Sequence, residues 1–217
     1  MTTLTGARIA AEGLTGWAHL LGGLQTRIAT GDFATGVSVV AAIGAAAGEL
    51  DHQAAIDLRH DHVDVRLTSA GGVTERDVRL ARAVTAIAED ARVPLSATVS
   101  RLELALDTPD HDAVRPFWAA VLGVPEPGAD ATGATTGEVP DPADSLPTVW
   151  FQRSGTAEPR QRWHPDVWVD PAQVGPRVDA ALAAGGTLVS DEEAPSFVVL
   201  ADPDGNRVCL CTWRERD

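Results

Sequence analysis

The segment ELDHQAAIDLRHDHVDVRL, from Glu49 to Leu67, holds His52, His60 and His62, half of the chain's six histidines. Imidazole titrates near neutrality and carries two ring nitrogens. A cluster of this kind could move protons at a carbon or oxygen centre, or could hold a metal ion. The spacing separates the three. His52 follows a long apolar-periodic run, whereas His60 and His62 flank Asp61 in a break between two alternating runs, where solvated turn residues are the simpler reading. The two cysteines, Cys209 and Cys211, stand two apart on one strand pattern. That spacing suits neither a disulfide closing a long loop nor a CxxC metal knuckle, and small buried packing residues explain it as well.

The elements that must position His52 can be read from periodicity. Residues 32–50, DFATGVSVVAAIGAAAGEL, place Phe33, Val37, Val40, Ala47 and Leu50 on one helical face, with Asp32 as N-cap. AIDLRHDHVDVRLT then alternates Ile56, Leu58, Val63, Val65 and Leu67, which predicts a hairpin broken at HDH. Thr74-Glu-Arg-Asp77 is a capping-box pattern opening a second helix to about Asp90, with Leu80, Val84 and Ile87 inward. Upstream, WAHLLGGLQTRIAT reads as two short strands turning at Gly22-Gly23. ARVPLSATVS at 91–100 is polar, aperiodic and contains proline, which sets boundaries at 1–92, a linker at 93–100, and 101–217.

The second block runs strand RLELALDT, helix HDAVRPFWAAVLG capped by Asp112, a Gly- and Pro-rich loop, then strand TVWFQR. Strand DVWVD, helix AQVGPRVDAALAAG and strands around TLVS, SFVVLAD and RVCLCTW follow. The repeated order suggests an internal duplication. The predicted class is α+β: an N-terminal antiparallel four-stranded sheet with helices on one face, and a C-terminal pair of βαβββ modules.

A net charge of −14, with every one of the 17 basic residues an arginine, opposes binding to nucleic acid or to anionic membrane surfaces. No N-terminal basic region precedes a long apolar run, and the most apolar stretch, VSVVAAIGAAAG, is too short to span a bilayer. A cytoplasmic protein is expected.

The first block resembles the pterin-4a-carbinolamine dehydratase family. The carrying residues are Gly16-Trp17, Asp32-Phe33, Asp51-His52, Ile56 to Arg59, Val63 to Leu67, and Gly72 to Asp77 with Leu80-Ala81, spanning residues 14–90. The resemblance implies a homo-oligomer with a pterin-like ligand and a lyase reaction, dehydration of 4a-hydroxytetrahydrobiopterin. Family members carry His-His-Pro after the long helix and a third histidine after the hairpin. Hydroxide cannot leave the 4a carbon without a proton donor, and N5 must lose its proton. Here His52 keeps the first position, Gln53 and Ala54 occupy the next two, and the third histidine position falls at about Ala70. His62 cannot replace it, since eight residues of strand span roughly 26 Å. The candidate catalytic residues are therefore His52, Gln53 and Asp77, the last by family analogy in addition to its capping role.

The second block resembles the vicinal-oxygen-chelate superfamily, in particular its glyoxalase-like branch. The carrying residues are Asp107-Thr-Pro-Asp110, Phe117 to Gly123, Trp150-Phe-Gln152, His164 to Val169, and Leu200 to Asn206 before the last strand. The resemblance implies a cupped sheet around one pocket, with Trp150, Gln152 and Trp168 as candidate lining. Metal-using members place ligands on the first and last strands of each module, positions that fall here on Glu103, Gln152, His164 and Cys209. Gln152 is a weak neutral ligand, and Cys209 would have to lose its proton on an apolar strand. No resident cofactor is expected; a divalent metal in this block would be held by Glu103, His164 and Cys209. The leading expectation is a dehydratase with a degenerate site and weak activity. A non-catalytic binder of a pterin-like molecule or drug, and a metal-dependent glyoxalase- or dioxygenase-type enzyme, are the alternatives.

Overall fold

The computed structural model describes residues 2–112, 115, 119, 124–125, 137–144, 146–154, 163–201 and 207–216. The chain divides into two compact units. One comprises Met1–Ser100 with Val169–Val174 and Thr212–Asp217; the other comprises Arg101–Trp168 and Gly175–Cys211. The first division falls after Ser100, and two short later segments group with the first unit.

In the first unit a short helix α1 (Gly6–Ala11), absent from the sequence reading, precedes β1 (Ala18–Leu20) and β2 (Gly23–Ala29). The hairpin between these strands turns at Leu21-Gly22, one residue earlier than expected, with φ of 46° and 65°. Two successive positive φ values match the right-handed twist of a tight hairpin, so Gly23 is free to enter β2. Helix α2 (Phe33–Glu49) is capped by Asp32, whose carboxylate accepts from the Thr35 amide at 2.8 Å. β3 (Ala55–Leu58) and β4 (His62–Leu67) form the predicted hairpin, and α3 (Glu75–Ala91) opens on a capping box between Thr74 and Asp77. The antiparallel order is β1-β2-β4-β3, with β5 (Leu95–Ser96) added on β2. Leu95–Ser96 thus belongs to the sheet rather than to a free linker, and the Ala29 amide donates to the Pro94 carbonyl at 3.0 Å.

The core side of this sheet is written by register: Leu24, Thr26 and Ile28 of β2 stand opposite Leu67, Val65 and Val63 of β4. All six are buried and pack under Val39, Ile43 and Ala47 of α2 and Val78, Ala81, Val84 and Ala88 of α3. Helix α2 does not present the predicted face. Its buried stripe is Gly36, Val39, Ile43 and Ala47, while Phe33 and Val37 are about half exposed. The reason is proximity: a Cβ at Gly36 would lie 2.6 Å from the Leu58 methyl. The helix closes on the sheet where a side chain is missing, and the largest apolar residues rotate outward.

Among the described residues the second unit forms one seven-stranded mixed sheet, ordered β10-β11-β12-β9-β6-β8-β7. Its strands are β6 (Arg101–Thr108), β7 (Glu138–Val139), β8 (Thr148–Arg153), β9 (Trp163–Trp168), β10 (Thr187–Ser190), β11 (Phe197–Ala201) and β12 (Arg207–Cys211), with helix α4 (Pro171–Ala183) following β9. β9-α4-β10-β11-β12 is a complete βαβββ module. In the first module the helix predicted from Asp112, and in the second the turn at 202–206, lie largely outside the described residues. The duplication is visible in the pairing. Each module joins its first strand in parallel to its last described strand, β6 to β8 and β9 to β12, and the first strands meet antiparallel. Among the described residues no helix is long and apolar enough to cross a membrane.

Candidate functional site

In the first unit, α2 ends at Leu50 and the chain reverses through Asp51, at φ 47°, so that the His52 amide donates back to the Ala47 carbonyl at 3.0 Å. This return aims the imidazole at the opening turn of α3. His52 Nε2 lies 2.8 Å from Asp77 Oδ1, and Asp77 is fully buried. The other carboxylate oxygen accepts from Ser69 Oγ, the Thr74 amide and Thr74 Oγ1, each at 2.8 Å. Burial alone would raise the Asp77 pKa. The hydrogen bonds from His52, Ser69 and Thr74 outweigh it and hold this carboxyl below its ordinary range. A carboxylate only accepts, so His52 Nε2 carries hydrogen and Nδ1 is the nitrogen left for exchange with a ligand.

The capping box therefore does two jobs. It closes the N-terminus of α3 and supplies a buried anion that orients an imidazole. Of the predicted catalytic residues, His52 and Asp77 are brought together. Gln53 is exposed and is not among the partners of Asp77. Ala70 lies exposed in the turn bridged by Ser69 and Gly72, and the neighbouring Ser69 is the residue that reaches Asp77. Ser69 was missed because a serine in a Gly-rich turn reads as turn chemistry. His60 is exposed, and His62 Nδ1 pairs with Asp61 at 2.7 Å, which makes these two a surface cluster at the β3–β4 turn.

In the second unit, register places the sequence-predicted residues on one face of the sheet, because directly paired residues point the same way and direction alternates along a strand. Cys209 pairs with Asp166, and Asp166 pairs with Glu103. His164 pairs with Ala105, which pairs with Trp150, and Trp168 pairs with Arg101. Gln152, opposite Asp107, lies on the same face but is exposed. Two indoles fix the two acids: Trp150 Nε1 donates to Asp166 Oδ2 at 3.0 Å, and Trp168 Nε1 donates to Glu103 Oε2 at 2.8 Å. The other sheet face is apolar, with Leu104, Leu106, Val149 and Phe151 in a core with Ala119 and Val139.

Asp166 was not foreseen as a site residue. It is buried, and with His164 and Cys209 it offers one ligand atom each within 4.8 Å of one another. The donor set of imidazole, carboxylate and thiol fits a divalent metal. Glu103, expected in that role, is not in this group and is engaged by Trp168. The signal for Asp166 lay in the alternation itself, two residues beyond His164 on one strand.

Residues 2–87 match the family described as pterin 4 alpha carbinolamine dehydratase, and residues 103–211 match the glyoxalase-like domain family. Two relatives are each named "Putative pterin-4-alpha-carbinolamine dehydratase". That of Mycolicibacterium smegmatis is 34% identical over 83 residues, covering 37% of this chain and 88% of the relative. That of Aquifex aeolicus is 32% identical over 81 residues, covering 36% and 82%. Among solved structures, a transcriptional coactivator/pterin dehydratase from Brucella melitensis is similar over 40% of this chain and 99% of its own, at 29% identity and a TM-score of 0.39. A glyoxalase/bleomycin resistance protein/dioxygenase superfamily member from Vibrio splendidus is similar over 52% and 99%, at 15% identity and a TM-score of 0.34.

Proposed function

We propose, for a chain that belongs over residues 2–87 to the pterin 4 alpha carbinolamine dehydratase family and over residues 103–211 to the glyoxalase-like domain family, that its first unit is a weak dehydratase. The substrate class is a 4a-hydroxytetrahydropterin. The observation that carries the reading is the 2.8 Å contact of His52 with the buried carboxylate of Asp77.

In the reaction the C4a–O bond breaks as a proton reaches the departing oxygen, N5 gives up its proton, and a C4a=N5 double bond forms with release of water. His52, through Nδ1, is the group that exchanges these protons. Asp77 is a positioning residue: it fixes the tautomer and ring plane of His52 and faces the imidazole with a negative charge. A site with several imidazoles can divide donation and abstraction between them. This one has Gln53 and Ala70 where two others would stand, and neither side chain transfers a proton at neutral pH. One proton-transfer group is worth ~10²–10⁴ in rate, so a site short of two should turn over slowly.

The second unit is read as an accessory small-molecule domain whose polar sheet face, with Trp150 and Trp168, receives the ligand. The protein is read as a cytoplasmic homo-oligomer that binds neither nucleic acid nor membrane. Stopped-flow dehydration of a 4a-hydroxytetrahydropterin, paired with calorimetric binding of a non-reacting pterin, tests the main reading. Slow but saturable turnover supports it. Pterin binding with no turnover above the uncatalysed rate would replace it with the binding-protein reading, and neither binding nor turnover would remove the pterin from the account.

A further inference from the structure

We propose that the first unit carries a second small-molecule site, a recess of about 410 Å³ that takes a neutral, planar heteroaromatic molecule of one or two rings. Its lining comes from α1, the segment leading into β1, β1 and β2 themselves, and the later segments around Asp170 and Trp213. All of these belong to the first unit as the chain divides. Neither His52, Asp77 nor Ser69 lines it, so the site stands apart from the dehydratase reading.

Local structure sets the rings in place. Gly13, at φ 63°, lies in the turn between α1 and β1. Trp17 follows, buried, and its Nε1 donates to Thr85 Oγ1 of α3 at 3.0 Å, which fixes the indole plane. Ile9, Trp17 and Leu24 belong to the core of the unit and also give the recess its apolar lining. Trp213 supplies a second indole. A Cβ at Gly6 would clash with the Trp213 ring, so this ring seats on α1 where a side chain is missing. The His19 imidazole stands 6.1 Å from it between centroids, tilted by 36°. Two of the chain's six tryptophans and one histidine thus meet at a single concavity.

The chemistry of the lining selects the ligand. Apolar side chains and ring faces favour a flat molecule, because stacking and burial of its faces both gain free energy. Small-molecule sites run from roughly 300 to 1,000 Å³, and a recess near the lower end suits one or two rings rather than a larger ligand. The charged members are Asp170 and Arg214, one of each sign. The Ala172 amide donates to Asp170 Oδ1 at 2.9 Å and holds that carboxylate in place. The Arg214 guanidinium stands 6.0 Å from the Trp213 ring centroid, beside the surface on which a ligand would stack. Opposite charges balance within the recess, and a chain of net charge −14 repels anions before they arrive. A neutral ring with an N–H donor for Asp170 and a ring-nitrogen or carbonyl acceptor for Arg214 answers both. Trp17, its N–H engaged by Thr85, contributes its ring alone.

The test uses the full-length protein and adenine as the probe, a neutral two-ring molecule with an amino donor and ring-nitrogen acceptors. Adenine should quench tryptophan fluorescence saturably, and calorimetry should give one site with a Kd below about 1 mM. Benzoate, a planar anion, should bind more weakly. Trp213→Leu should weaken adenine roughly tenfold or more, the usual scale of a lost stacking partner. Ala10 lines the recess from an exposed position on α1, so Ala10→Phe should fill the space and abolish binding with the circular dichroism spectrum unchanged. It carries the test should Trp213→Leu misfold. His52→Ala should bind adenine as the native protein does, which separates this recess from the dehydratase site. No saturable binding, benzoate binding tighter than adenine, an affinity unchanged in folded Ala10→Phe, or binding lost in folded His52→Ala overturns the proposal.

Discussion

His52, just past the end of α2, and Asp77, in the first turn of α3, meet at 2.8 Å with the carboxylate wholly buried. The same carboxylate takes three further hydrogen bonds from Ser69 and Thr74. Helix capping and histidine orientation therefore rest on one side chain, and the two roles can be separated by experiment.

Asp77→Asn keeps the size of the side chain but loses the charge. The cap should weaken by roughly 1 kcal/mol, the usual value of an N-terminal capping interaction, and the tautomer of His52 should no longer be enforced. Dehydration should fall while pterin affinity changes little. A parallel loss of affinity would show a binding role for Asp77 instead.

The depressed pKa of Asp77 has a fixed sign in stability. A carboxyl whose folded pKa is lowered contributes stability that is present above its unfolded value, about 3.9, and is lost as pH falls through the folded value. Denaturant midpoints of the native protein should drop below about pH 4 more steeply than those of Asp77→Asn. Equal slopes would contradict a charged, hydrogen-bonded Asp77.

Restoring the missing imidazoles should restore rate. Gln53 and Ala70 are exposed, so Gln53→His with Ala70→His should cost little stability. Turnover of the double variant should rise by ~10²-fold or more if degeneracy limits the site. An unchanged rate would place the limit elsewhere.

Gly16 sits at φ 82°, and a Cβ there would come within 2.9 Å of the Leu95 Cβ on β5. Gly16→Ala combines a positive-φ penalty of about 1–2 kcal/mol with displacement of β5 from β2. It should lower the melting temperature and expose Pro94–Ser96 to protease, a segment that should resist cleavage in the native chain. Cleavage there in the native protein would contradict the docking of β5.

Where one face of a strand is polar and the other apolar, the fold was legible. Arg101–Thr108 and Thr148–Arg153 coincide with their predicted strands because alternation marks both their ends. It was not legible where spacing counts for less than proximity. Phe33 and Val37 read as core by size, but Gly36 decides which side of α2 approaches Leu58. Leu95–Ser96 is too short to show a period, and only β2 reveals it as a strand. The sites follow the same division. His52, His164 and Cys209 stand out by residue type, whereas Ser69 and Asp166 gain meaning only from what the turn and the register set beside them.

The central claim is that His52, oriented by Asp77, is the acid–base group of a weakened dehydratase site. Single-turnover dehydration of a 4a-hydroxytetrahydropterin by the native protein and by His52→Ala, with pterin binding confirmed for both, tests it most directly. The account predicts slow turnover in the native protein, well below that of an enzyme with three histidines, and none above the uncatalysed rate in the variant. Turnover equal to that of a three-histidine enzyme, or a rate unchanged in His52→Ala, would contradict it.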